Sequence, residues 1–455
     1  MNAAILPMTL ALLHRVFGPE DTQAWAALWE RGQFPMDELE RYLQQWYERF
    51  DLFHPERPFY QVADERVKPK SVIHLIHSIG NTGTLFTHAS EDARPELTAA
   101  EATRYLLTAQ TFRTAGLSGL KEKFTDATLT RGVLFWASAD DLFTMLMLNL
   151  YPPEVTRIKQ TDADAPIWEL DDPYSKRAYP YGLMDYLTWP SNRIMLLPET
   201  DASVTVVNQM TVAPGLHLAP DVFSPQKRYI AEEDKKKGKI WKFMRFDQDK
   251  GLWRDYHTLL ALDSESIIPP AAVEWFTRLT FDDVLDEDDV IELLATGMLA
   301  DQAKPVFYRQ EHLPLPAKLL REPTSERLIA EAIQLADDVA SQLGWALSKL
   351  AEQVLMRGSE REPDKNDTRQ LITQWDVQSL YWSALEPHFW TFVQQLSQQI
   401  PEAPDIWRDA LKQQARQALS AAARMSGTDA AALHGQVVAE RTLNVGIHKV
   451  FEKAS

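Results

Sequence analysis

The sequence predicts an α+β protein: a mixed α/β N-terminal domain over residues 1–323 followed by a C-terminal four-helix bundle over 324–455. Three observations carry that expectation. After Pro323 the chain splits into four long helical segments, about 324–356, 369–398, 402–425 and 428–453. Before it, residues 151–325 are cut by prolines at short intervals, from Pro152 and Pro153 through Pro190 and Pro198 to Pro220 and Pro225. Between Arg131 and Tyr151 an apolar run is followed by a polar turn and a second apolar run, the pattern of a buried strand leading into a buried helix. With 455 residues, about three times the ~150 of a typical domain, two or more cores are expected.

Taken in order, Met36, Leu39, Tyr42, Leu43, Trp46, Tyr47 and Phe50 recur every three or four residues and predict a helix over 36–50, ended by Pro55 and Pro58. Thr98 stands three residues before Glu101, a capping-box spacing that starts a helix running to about Gly116. The proline-broken middle reads as short strands, loops and a few helices. There the acidic run Asp282, Asp283, Asp286, Glu287, Asp288, Asp289 reads as charge favouring a helix N-terminus at Val290. In the C-terminal part, Leu328, Ile329, Ala332, Leu335, Ala336, Val339, Leu343, Ala346 and Leu350 form one helical stripe. Helices of about 25 residues joined by short turns pack antiparallel to their neighbours, which gives the bundle.

Composition narrows the function classes. The balance of 47 Lys+Arg against 65 Asp+Glu is −18, which argues against a uniformly nucleic-acid-binding surface but leaves room for a local basic groove. There is no cysteine, hence no disulfide, thiolate nucleophile or Cys-ligated metal. No run of 18 apolar residues is present, and the apolar start lacks a basic n-region and a small-residue cleavage site, so a cytoplasmic protein without membrane partners is expected. P-loop, G-x-G-x-x-G, G-x-S-x-G and H-E-x-x-H motifs are absent, and no cofactor is called for. His74-Leu-Ile-His77 has i, i+3 spacing but no acidic ligand pattern beside it, so surface or capping histidines are the plainer reading.

Binding features stand out more. Residues 225–254 hold ten Lys/Arg, including Lys227, Lys235, Lys236 and Lys237, against five Asp/Glu, with Tyr229, Trp241 and Phe243 interleaved. That segment suits a phosphate backbone, or it is a solvated β-hairpin with a basic tip. Two loops, Asn81 to His88 and Thr114 to Gly119, contain glycines that let backbone approach a partner closely, or are ordinary turns.

The order of the blocks ALLHRVFG, FHPERPFYQV, TLFTH, TAQTFRTAGLSGL, DDLFTMLMLNL, GLMDYLTWPSNRI, GLWRD and LADQAKPVFYRQEHLPLP, with a terminal helical bundle, resembles CasA, the large subunit of the type I-E CRISPR surveillance complex Cascade. The resemblance spans nearly the whole chain. It implies a subunit that performs no chemistry, that recognises the protospacer-adjacent motif of double-stranded DNA from the minor groove, initiates strand separation and helps recruit a helicase-nuclease. The implied partners are the other Cascade subunits, crRNA, target double-stranded DNA and the helicase-nuclease.

By position the resemblance places Phe86, Thr87 and His88 on the family's first DNA-contacting loop, Gly116, Leu117, Ser118 and Gly119 on its glycine loop, and Gln302, beside Lys304, on the glutamine wedge that parts base pairs. Such a wedge fits minor-groove recognition, in which an unstacking cost of a few kcal/mol is met and sequence identity is left to pairing with the guide. The family's lysine finger falls near Asn208, Gln209 and Met210, where there is no lysine, so either Lys227 or another member of the basic segment takes its role from a shifted hairpin, or this protein reads its motif differently. Family members also carry an extra N-terminal β segment, whose loss would expose Ile5, Leu6, Met8 and Leu10. The contrasting expectation is a helical protein-interaction adaptor that never touches DNA.

Overall fold

The computed structural model describes residues 2–76, 95–201, 204–236, 238–262, 264–301, 304–356 and 363–454, in two units. One comprises residues 1–246 and 262–317; the other comprises 247–261 and 318–455.

The first unit begins with α1 (Asn2–Phe17), α2 (Thr22–Glu30) and α3 (Met36–Gln45). In α1, Leu10 is buried together with Ala4, Ala11 and Leu13, so the expectation that it is exposed does not hold. The helix expected over 36–50 stops at Gln45, continues as a 3-10 turn over Tyr47–Phe50, and buries none of its residues in α3. Its apolar side is held by polar contacts instead: Tyr42 donates to Glu169 at 2.5 Å and accepts from the Trp168 indole at 2.7 Å.

After β1 (Lys70–Ser71) and β2 (Leu97–Thr98) comes α4 (Ala99–Phe112). Its start is the expected capping box: Glu101 N–H donates to Thr98 Oγ1 at 3.3 Å, and Thr98 N–H donates to Glu101 Oε2 at 2.9 Å. The strand and helix read from 131–151 are β3 (Val133–Ser138) and α5 (Leu142–Asn149), the latter capped by Asp141, whose carboxylate accepts from Thr144 N–H at 2.9 Å. A short α6 (Leu183–Leu187) precedes β4 (Asn192–Asp201) and β5 (Val204–Pro214). The strand β5 pairs antiparallel with β1, β2 and β4.

Next come β6 (Tyr229–Asp234), β7 (Gly238–Phe243), β8 (Ile267–Ile268), α7 (Ala271–Phe281), β9 (Val290–Asp301) and β10 (Lys304–Pro316). Two further antiparallel sheets run β10-β9-β3 and β7-β6-β8. The middle of the chain is thus less fragmented than its prolines suggest, because β9 and β10 extend over 12 and 13 residues. Val290 opens a strand rather than a helix. Ile291, Leu293 and Ala295 are buried while Val290 is exposed, and this period-two alternation overrides the acidic run before it.

A buried polar clasp ties α4 to the sheet. Gln110 Nε2 donates to Asn192 O at 2.9 Å, Asn192 N–H donates to Gln110 Oε1 at 2.9 Å, and Asn192 Nδ2 donates to Ala109 O at 2.9 Å. Each polar atom in this clasp trades water for a partner, so burial costs little.

The helical unit contains α8 (Ala317–Arg321) from Lys318 on, α9 (Ser325–Met356), α10 (Lys365–Trp375), α11 (Val377–Ser397), α12 (Ala403–Ser426) and α13 (Ala430–Lys453). The four long helices are the bundle expected from sequence. Its second segment is broken at Asp376, which sits in the left-handed region at φ 46° and separates α10 from α11. Hydrogen bonds into neighbouring helices fix the packing: Tyr381 hydroxyl donates to Ala336 O at 3.0 Å, and the Trp407 indole donates to Ala332 O at 3.0 Å. The segment 247–261 precedes residue 323 in sequence but packs with these helices: Trp253, 1% exposed, lies 4.8 Å from Phe389 in a tilted pair, and Tyr256 lies 5.3 Å from Trp390.

Candidate nucleic-acid interface

The glycine loop grows directly out of α4. The chain leaves the helix at Arg113 in extended conformation, turns, and comes back alongside itself. Gly116 and Phe124 exchange both backbone hydrogen bonds, at 3.2 and 3.0 Å. Closer to the helix, Ala127 N–H donates to Arg113 O at 2.9 Å and Leu129 N–H to Thr111 O at 2.9 Å. Residues 111–129 therefore form an irregular antiparallel hairpin whose tip is 117–123.

The tip is pinned by side chains. Ser118 Oγ donates to Glu122 O and accepts from Leu120 N–H at 3.0 Å. Glu122 pairs with Arg66 at 3.2 Å, and Arg66 pairs with Asp64 at 2.7 Å. At the base the Arg113 guanidinium lies 4.6 Å from the Phe124 ring centroid, and burial lowers its pKa to about 10. Leu117 projects from the tip at 81% exposure.

Gly119 has φ +79°, which explains a glycine there. Gly116 has no such requirement, and a Cβ placed on it meets nothing within 4 Å. Among the described residues, nothing requires a glycine at 116.

The basic segment behaves differently. Lys227 is 7% exposed, its ammonium donates to Thr128 O at 3.0 Å, and it lies 5.1 Å from the Phe243 ring centroid. Desolvation lowers its pKa from 10.5 to about 8. It supports the returning arm of the glycine hairpin and does not reach out as a finger, which overturns the expectation for this residue. Arg228 is also buried. Lys242 pairs with Glu232, and Lys239 donates to Glu265 O at 2.8 Å while lying over Trp241.

Lys250 and Arg254 belong to the helical unit, where they pair with Asp255 and Asp337, both at 2.7 Å. Lys235, Lys236 and Arg245 are exposed, so the local excess of ten basic residues over five acidic ones is distributed through core, hairpin and bundle.

The other expected contacts are placed as follows. Asn208, Gln209 and Met210 lie on β5; Met210 is buried and Asn208 donates to Glu199 at 2.7 Å. Lys304 opens β10 with its backbone in register with Asp301 of β9, and Gln302 lies in the connection, outside the described residues. Phe86, Thr87, His88 and Lys237 also lie outside them. His74 sits in the 3-10 turn Val72–Leu75, not on a helix face, and no cluster of potential metal ligands occurs among the described residues. No helix among them is long and apolar enough to cross a membrane.

The sequence profile of the CRISPR-associated protein Cse1 family matches residues 1–418. The chain belongs to the Cse1 family. It is 32% identical over 456 residues to the CRISPR-associated protein CasA/Cse1 of Thermus thermophilus, covering 94% of this chain and 85% of that relative. The crystal structure of Thermus thermophilus CasA superposes with a TM-score of 0.79 at 28% identity, over 98% of this chain and 90% of that one. A chain of a CRISPR RNA-guided surveillance complex shares the fold with a TM-score of 0.69 at 22% identity, over 98% and 90% of the two chains.

In this Cse1 family member, Asp126, Arg66 and Arg113 shape the glycine loop, and sequence reading missed all three. Their partners are 2 to 56 residues away along the chain, at spacings that match no motif. The one hint was the loop's own composition, since small residues need neighbours to hold them in place.

Proposed function

We propose that this chain is the large, non-catalytic subunit of an RNA-guided surveillance complex, and that it meets the protospacer-adjacent motif of target duplex DNA from the minor groove. On this reading the loop Gly116–Gly119 lies against the motif base pairs, Phe86, Thr87 and His88 make neighbouring contacts, and Gln302 is inserted to part the first pairs. The other subunits, the crRNA and a helicase-nuclease are its partners. The observation that carries the reading is Gly116: the hairpin holds this position open, none of the described residues requires a missing side chain there, and a partner's backbone or base edge does. The exposed Lys121 and Lys123 follow the glycines in the same tip, and cations there fit contact with a phosphate backbone while the guide, not the protein, reads most of the sequence.

The test is Gly116→Val in the reconstituted complex. Motif-containing duplex binds at least tenfold more weakly while the melting temperature of the chain is unchanged. Unchanged affinity overturns the reading and favours a protein-interaction adaptor. Gln302→Ala is the companion variant: target-strand unwinding, followed by permanganate footprinting, falls while assembly with the guide complex persists. Undiminished unwinding removes Gln302 from its role.

A further inference from the structure

The glycine hairpin has a gap in its backbone pairing, and one side chain fills it. Between the Gly116/Phe124 exchange and the bond from Ala127 N–H to Arg113 O, the Ala115 N–H is taken by a side chain: it donates to Asp126 Oδ1 at 2.9 Å. The second carboxylate oxygen, Oδ2, accepts from Arg131 Nε at 3.1 Å, and Arg131 stands two residues before β3. Asp126 thus joins the residue immediately before the glycine loop to the start of a buried strand. Val133 to Ala137 of that strand are fully or almost fully buried, so the anchor is rigid.

We infer that Asp126 is a positioning residue that sets the Gly116–Gly119 loop, with Leu117 at its tip, in its binding conformation before any partner arrives. The inference rests on the proposed reading of this loop as a DNA contact. Physically, an extended arm with one unsatisfied N–H has a choice between water and the hairpin. A carboxylate already oriented by a guanidinium removes that choice, and the ordering cost of the loop is met during folding rather than at binding. The arrangement is also local. Asp126 and Arg131 are five residues apart, so loss of the brace loosens the hairpin without opening the core around Trp136.

The experiment compares Asp126→Ala, Asp126→Asn and Gly116→Val in the full chain, first by amide hydrogen exchange and then, assembled with the guide complex, by binding of a motif-containing duplex. With Asp126→Ala, exchange at Ala115 to Gly119 accelerates at least tenfold while Val133 to Ala137 remain protected, and duplex affinity falls about fivefold to tenfold. Asp126→Asn keeps an oxygen for the Ala115 N–H but turns its NH2 toward the Arg131 Nε–H, so its affinity falls between those of the parent and Asp126→Ala.

Loop exchange unchanged by Asp126→Ala overturns the inference, as does Asp126→Asn binding as weakly as Asp126→Ala. If Asp126→Ala leaves affinity intact while Gly116→Val destroys it, the inference fails and the DNA-contact reading stands. If neither variant alters affinity, the reading itself fails. Should Asp126→Ala unprotect β3 as well, Asp126→Asn decides: normal folding with the loop still protected supports the brace, and a deprotected loop removes it.

Discussion

Two segments of this protein look like nucleic-acid contacts for opposite reasons, and the structure treats them in opposite ways. The run from 225 to 254 is conspicuous for charge, while the loop from 114 to 119 is neutral and small. Folding buries or pairs part of that charge, while Lys235, Lys236 and Arg245 stay exposed. Lys227 braces a carbonyl, Lys242 meets Glu232, and Arg254 lies 3.6 Å from the Trp382 ring centroid beside Asp337. The glycine hairpin is instead built outward, pinned at tip and base, with Leu117, Lys121 and Lys123 exposed and Gly116 open. Formal charge in a sequence counts groups, whereas binding depends on which groups still face water after ion pairs and cation–π contacts have formed.

The contrast is most exposed to refutation where the basic run enters the helical unit. Trp253→Ala removes a fully buried ring from between Phe389 and Trp407 and is expected to cost that unit about 3–5 kcal/mol. A urea titration read by far-ultraviolet circular dichroism measures it, and a cost below about 1 kcal/mol shows that 247–261 is not part of that core.

Lys227→Glu comes next. A carboxylate facing Thr128 O with Asp126 nearby is expected to destabilise the first unit by about 3 kcal/mol. If this variant folds with unchanged stability but loses duplex affinity, Lys227 is a binding residue after all and the contrast collapses.

A pH series sharpens the same point. Because the folded pKa of Lys227 is lowered to about 8 from 10.5, the unfolded chain binds the proton more tightly, and stability rises as pH increases from about 8 to 10. The gain is about 2 kcal/mol and is missing in Lys227→Met. Above pH 10 the buried Tyr151 and Tyr174, whose pKa values burial raises, reverse the trend by resisting ionisation in the folded state. Parallel curves for the parent and Lys227→Met would falsify this assignment.

The smallest effect is expected from Lys235→Glu with Lys236→Glu. Both residues are exposed, so duplex affinity falls about twofold to fivefold and the dependence of log affinity on log salt loses about one to two units of slope. A hundredfold loss would return the basic hairpin to the centre of the interface.

Local rules explain why some elements were readable. The capping box at Thr98 and Glu101, the strand–turn–helix at 131–151 and the long stripes of the bundle all depend on residues within a few positions of one another. The errors arose where two local signals competed. Acidic residues before Val290 suggested a helix start, but alternation through Ile291, Leu293 and Ala295 had a sheet to pack against and prevailed. Tyr42 and Trp46 suggested an apolar helix face, and the fold used Tyr42 for a hydrogen-bond network with Glu169 and Trp168.

By itself, then, the sequence determined the class of fold, the family, the bundle and the caps, because periodicity, capping and block order are properties of neighbours along a chain. Only tertiary structure decided that Lys227 is interior, that 247–261 packs with helices from beyond residue 317, and that Asp126 completes the loop. Those outcomes depend on which groups meet across the fold. Desolvation then governs the lysine, and hydrogen-bond satisfaction governs the loop, and neither can be counted until the chain has closed on itself.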